Sequence, residues 1–285
     1  MATAPKPYVE DLSVEIKQYL AKKDMRTHHG LWHYVRVAWP VITPARQVEL
    51  EKAGFRPPRL REQFLSGIDF LAMHRKMLKE IHKQFPKASI PPGWNPIPFN
   101  SHDPDWPMPL TYDQIPEPAW KEPAATKHFE QESHHFPPLK PKGDEISSLA
   151  QTKYRNMSLD YLGRRIENGI HDWMHIHWSA EPWFKAEKGQ HIDDVRNDWL
   201  ASPYASHVNV RFWKIHGWIN DRVNDWACAN GVHDVDALLQ DAFTGPDMSG
   251  DQMSGMKMPN MIEMTPEEIR DCEGIFVLSR NSAPA

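Results

Sequence analysis

Two pairs of histidines constrain this 285-residue chain more than any other feature. His171 and His175 stand four residues apart in GIHDWMHIHW, a stretch with helical patterning, so both imidazoles project from one helix face, one turn apart. His29 and His33 repeat that spacing in MRTHHGLWHYVRVAWP. Such a pair can chelate one metal ion, although two core or surface histidines also meet at this spacing by chance, so either pair alone says little. Two further helical stretches, LSGIDFLAMHRKMLKEIH and VRFWKIHGWINDRVNDW, each place one histidine on an inward face: His74 and His216. Six imidazoles suffice for two metal sites of three histidines each. Sites built from imidazole, without carboxylate or thiolate, favour copper over carboxylate-bridged di-iron chemistry, and three-coordinate ligation leaves room for an outside ligand.

Periodicity predicts helices over Val9–Lys22, Met25–Ala38, Leu60–Gln84, Ser147–His177, Val208–Asn230 and Val235–Phe243, an all-α fold class. Between Pro86 and Pro141, about half of the 26 prolines gather in segments such as PPGWNPIP and IPEPAWKEP, which excludes regular helices and inner strands there. The aromatic content of this region predicts an ordered wrap over residues 86–143 that packs on the core, with disorder as the alternative. One principal domain over residues 1–245 follows, and a methionine-rich tail over 246–285 with a capped turn at Thr265–Glu268 and the apolar run IFVL.

The remaining chemistry narrows the partners. A formal charge of -5, with lysines and arginines not gathered into a block, gives no general attraction to nucleic acid. No apolar stretch is long enough for a membrane helix. The start, MATAPKPYVEDL, lacks the charged head and apolar run of a secretory signal, so cytoplasmic residence is the default expectation, with export on a carrier partner as the alternative. Cys228 and Cys272 cannot build a disulfide framework, though one bridge is open to them if the fold brings them together. Nothing in the chain marks an oligomeric state.

Taken in order as pair, single, pair, single, the motifs resemble those of the type 3 (binuclear) copper proteins, the tyrosinases, phenoloxidases and haemocyanins. HHGLWHYVRVAWP resembles the first copper helix of the arthropod proteins, FLAMHRKML the next helix, IHDWMHIHW the second-copper motif, and FWKIHGWINDRVNDW the closing helix. The resemblance covers roughly residues 25–85 and 160–230. It implies an antiparallel four-helix bundle in which His29, His33 and His74 bind one copper ion and His171, His175 and His216 bind the other, with dioxygen as co-substrate. It implies oxidation of phenols, o-diphenols or o-aminophenols to quinone-type products, with a non-catalytic haemocyanin-like dioxygen-binding protein as the alternative. A zinc or single-metal hydrolase that uses one pair is the rival outside the family. The copper-protein resemblance implies a small phenolic molecule as partner and leaves a copper-delivery protein open as a second.

The chain departs from the family where Asn209 and Val210 replace the usual aspartate and proline before the last histidine, and where Asn220 replaces an aspartate; both bear on how His216 is oriented. The resemblance gives Asp172 a part in taking the phenol proton, with orientation of an imidazole as the equal alternative. Glu167, one turn before His171, is expected to hold a proton-accepting water or else to form a surface salt bridge with Arg164. His28 and His177 lie off the ligand phase, and His134 and His135 sit in the wrap. Met248, Met253, Met256, Met258, Met261 and Met264 suit Cu(I), or simple packing. Trp32, Trp173, Trp213, Trp218 and Trp226 are expected mainly as core around the ligands.

Overall fold

A computed structural model describes residues 11–95, 97–98, 134–141, 143–177, 191–247 and 262–278. Among them every regular element is helical and no strand occurs. No helix of the described residues is long and apolar enough to cross a membrane.

Helix starts follow local chemistry. In α1 (Val14–Leu20) the Ser13 hydroxyl accepts from the backbone N–H of Ile16, so the helix begins at Val14 rather than at Val9. Helix α2 (Lys23–Ala38) runs, as its pattern predicts, to the residue before Trp39 and Pro40. Helix α3 (Pro44–Lys52) was not expected from periodicity; its signals are the Thr43 cap and Pro44 in its first turn. Helix α4 (Ser66–Gln84) starts six residues later than the pattern suggested, because Glu62 (φ 73°) and Leu65 (φ 69°) adopt left-handed backbone that a helix does not contain.

The stretch Ser147–His177, expected as one helix, is broken twice. Helix α5 (Ser148–Arg155) ends, and Ser158 caps a new helix, α6 (Leu159–Ile166). At Gly169 (φ -116°, ψ -108°) the chain widens into a π-type turn over Glu167–His171 before α7 (Asp172–His177). Helix α8 (Val210–Ala229) is capped by Asn209, α9 (Val235–Leu239) by Asp234, and α10 (Pro266–Leu278) by a reciprocal pair in which Thr265 and Glu268 each accept from the other's backbone N–H.

Helix α4 packs against both α6 and α8. The α4–α6 crossing is bare backbone: a Cβ on Gly163 would stand 2.2 Å from the Gly67 carbonyl oxygen, and the Gly67 N–H donates to the Asp160 carboxylate at 3.0 Å. Similarly, Gly217 of α8 meets Gly93 so closely that a Cβ on either would sit 2.6 Å or less from the facing backbone. The described ends of the proline-rich region do pack on the core, through Ile90, Trp94, Ile97, Phe136 and Leu139, all buried; the middle of that region lies outside the described residues. A second apolar cluster joins α10 to α2 through Ile269, Cys272 and Ile275 against Leu31, Tyr34 and Val35.

Candidate metal centre

Helix α2 contributes His29 and His33, α4 His74, the π turn and α7 His171 and His175, and α8 His216. All six are buried, none more than 2% exposed. Within the first expected trio the ring centroids lie 4.8 Å (His29–His33), 5.8 Å (His29–His74) and 5.6 Å (His33–His74) apart. Within the second they lie 4.4 Å (His171–His175), 5.2 Å (His171–His216) and 5.5 Å (His175–His216) apart. The trios touch: His74 stacks on His216 at 4.2 Å, and His33 faces His171 at 6.5 Å.

Nitrogen atoms of His29, His33 and His74 lie within 4.8 Å of one another, as do those of His74, His171 and His216, so each set can hold a metal ion. His74 therefore belongs to both sets, standing between the trios, where the sequence assigned it to the first alone. His175 reaches the centre beside His171 and His216.

The outer nitrogens fix which atom faces inward. His29 donates from Nδ1 to the Pro203 carbonyl at 2.6 Å, His175 to Leu200 at 2.7 Å, His216 to Phe212 at 2.8 Å and His74 to Phe70 at 2.9 Å. His171 Nδ1 lies 3.1 Å from the Asp172 carboxylate. Carbonyl and carboxylate oxygens only accept, so Nδ1 carries the proton in these five rings and Nε2 keeps its lone pair. The Nε2 atoms of His29, His74 and His216 are buried with no hydrogen-bond partner; leaving such an atom unsatisfied costs about 1–3 kcal/mol, a cost that ligation of a metal removes. Burial, and then neighbouring cationic or imidazole groups, hold all six rings well below the usual histidine pKa. They are neutral, the form that binds metal.

Two phenylalanines wall the centre. Phe70 lies 4.6 Å from the His74 ring and 4.8 Å from His171, and Phe212 lies 3.9 Å from His216, 5.3 Å from His29 and 6.0 Å from His175. Sequence reasoning passed over both, yet the signal was present: each stands one turn before a single histidine, in FLAMH and FWKIH. Trp32 adds a third wall, 4.8 Å from His33. Trp213, Trp218 and Trp226 are buried core and Trp173 packs against it from a half-buried position.

Behind His171 lies a buried ion-pair network. Arg36 grips both oxygens of Glu167 at 2.5 and 3.0 Å and also donates to the Ser66 carbonyl. Arg61 donates to the Asn168 side chain and the Glu167 carbonyl and pairs with Asp172. The surface bridge between Glu167 and Arg164 does not form: the π turn carries Glu167 inward, to 1% exposure, and Arg164 pairs with Asp160 instead. Asp172 spans Arg61 and His171, one carboxylate oxygen to each.

Asn209 does the capping work that an aspartate would do, accepting from Arg211 N–H at 2.9 Å, and Asn220 accepts from Arg75. His28 is buried rather than at the surface; its Nε2 donates to the Pro246 carbonyl at 3.1 Å, and burial pushes its pKa down to about 4. His207, absent from the sequence candidates, lies edge-on to His29 at 5.3 Å and donates to the Leu20 carbonyl at 3.0 Å; burial first, then Arg26, pushes it down to about 3. No helical spacing announces it. His134 and His135 belong to neither set. The side chain of His177 and five of the six tail methionines, all but Met264, lie outside the described residues. Met264 itself is buried against Gly30 and Tyr204. Cys228 and Cys272 do not bridge: Cys228 is exposed, and Cys272 is buried with its thiol donating to the Gly30 carbonyl at 3.4 Å.

No family model matches the chain, and no curated protein compared with it does.

Proposed function

We propose that the chain is a type 3 copper protein, a tyrosinase-like oxidoreductase that uses dioxygen to oxidise a small phenol, o-diphenol or o-aminophenol to a quinone-type product. The observation that supports this most is the convergence of six buried, neutral histidines from α2, α4, the π turn with α7, and α8 on one point, with Nδ1 protons turned outward in five of them. An all-imidazole donor set of this kind fits copper. His29, His33 and His74 would hold one ion and His171, His175 and His216 the other, the four helices acting as one antiparallel bundle around them. When bound, a copper pair supplies the electrons that dioxygen chemistry requires and that side chains lack.

The chain's own residues bind, orient and shelter. Phe70, Phe212 and Trp32 exclude water from the inner nitrogens. Asp172 holds the Nδ1 side of His171, and Arg61 holds Asp172. Arg36 occupies both oxygens of Glu167, so Glu167 and Asp172 act here as positioning residues more than as free proton acceptors. A haemocyanin-like dioxygen-binding role is the second reading, favoured by the near-complete burial of the six rings and by α10, which packs on both α2 and α7. The Met-rich tail keeps a copper-delivery partner among the expected partners.

The test is to load the purified chain with copper, reduce it, admit oxygen, record the near-ultraviolet spectrum and then supply tyrosine, catechol and o-aminophenol. Two ions per chain, an oxygen-dependent band and quinone formation are expected. A band without turnover selects the oxygen-binding reading. One ion, with no response to oxygen, overturns both and points to the single-metal hydrolase, and no bound ion overturns all three.

A further inference from the structure

Residues 200–208 are buried without exception, yet most of this stretch has no regular structure. A buried irregular segment must place each of its carbonyls on a donor. Two of them go to the metal centre: Leu200 accepts from His175 and Pro203 from His29, one histidine of each expected trio. The same segment presses His207 edge-on to His29.

What holds the segment is Arg26, fully buried near the start of α2. Its Nη2 donates to the carbonyls of Asp194 and Asn197, both at 2.9 Å, its Nη1 to Tyr204 at 3.3 Å and its Nε to Ala21 at 3.2 Å. Among the described residues no carboxylate forms a salt bridge with it. The guanidinium spends its charge on backbone oxygens, and its planar fork spans carbonyls ten residues apart, which a lysine ammonium cannot do.

We infer that Arg26 is a positioning residue for both trios at once: it sets the height of the 194–204 segment, and through Leu200 and Pro203 that height fixes the proton position and ring direction of His175 and His29. This rests on the metal-site reading for its purpose, not for its geometry. His74 and His216 take their carbonyls from their own helices, at Phe70 and Phe212, and stand outside this control.

The full-length, metal-free chain labelled with nitrogen-15 at histidine reports the tautomers directly through long-range proton–nitrogen correlations. In the wild type, His29 and His175 should each carry one fixed proton on Nδ1. In Arg26→Lys both should become mixed while His74 and His216 stay unchanged, a selective pattern that general loosening would not give. Zinc and Cu(I) titrations should then show affinity falling about 10- to 100-fold at both sites together. Unchanged tautomers at His29 and His175 in a folded Arg26→Lys overturn the inference. If that variant does not fold, Arg26→Gln replaces it under the same criteria, and an Nε2 proton on His29 or His175 in the wild type overturns the inference in either case. A wild type that binds no metal, together with the selective tautomer change in Arg26→Lys, overturns the metal function and leaves the positioning role standing.

Discussion

The histidines of α4 and α8 and those of α2 and α7 reach the same centre by different means. His74 and His216 are each held by the carbonyl one turn earlier in their own helix, on a phenylalanine that also packs against the ring. Once those helices form, both rings are aimed. His29 and His175 depend instead on carbonyls of the 194–204 segment, which must itself be docked by Arg26. The first region is organised by local structure, the second only by closure of the tertiary fold, and regions of the second kind open at lower free energy.

Acid should separate the two regions most strongly. Both regions share the lowered rings of the centre, but the loop-held side carries two more, His28 and His207, whose folded-state pKa values are pushed below the ordinary histidine value to about 4 and about 3. The unfolded chain therefore binds protons that the folded chain refuses. Stability is full above about pH 6.5 and falls as the pH drops through the window below it, by about 1.4 kcal/mol per pH unit for each ring. Hydrogen exchange of the metal-free chain between pH 7 and pH 4.5 should show α2 and residues 194–209 losing protection before α4. Simultaneous loss across all helices would dissolve the distinction.

A smaller effect, on the helix-held side, is expected from Gly163→Ala. The added methyl meets the Gly67 carbonyl and must push α4 from α6, at a cost of about 1–3 kcal/mol measured by urea denaturation. Protection should fall along α4 while His29 and His175 keep their tautomers. Smallest of the three is Thr265→Ala, which removes the cap of α10 and should cost about 1 kcal/mol. Its signature belongs to the other region: exchange should rise in α10 and in the face of α2 beneath it, with α4 and α8 unaffected.

The same division governs what could be read from the sequence. Helices α2, α4 and α8 were legible within a few residues, except at the start of α4, because their apolar faces repeat at helical spacing, and the six histidines were legible for the same reason. The FxxxH spacing that orients His74 and His216 was also written there, though it went unused. The break at Ser158 was harder, since a serine inside an apolar pattern serves equally as a surface position or a cap. Arg26 and His207 carried no periodic signal at all. Apart from Ala21, the hydrogen-bond partners of the Arg26 and His207 side chains lie 168–187 residues away in the chain, and only the folded structure brings them together.

The widened turn at Glu167–His171 works as a phase shifter. In an unbroken α-helix the stripe that carries Ile166 on α6 would run on to Ile170 and Trp173; the additional residue brings His171, Met174 and His175 onto it, all three buried, and leaves Trp173 half-buried. Deleting a single residue at Asn168 or Gly169 would rotate everything downstream by about 100°, swinging both imidazoles off the centre while leaving the composition of the helix almost untouched.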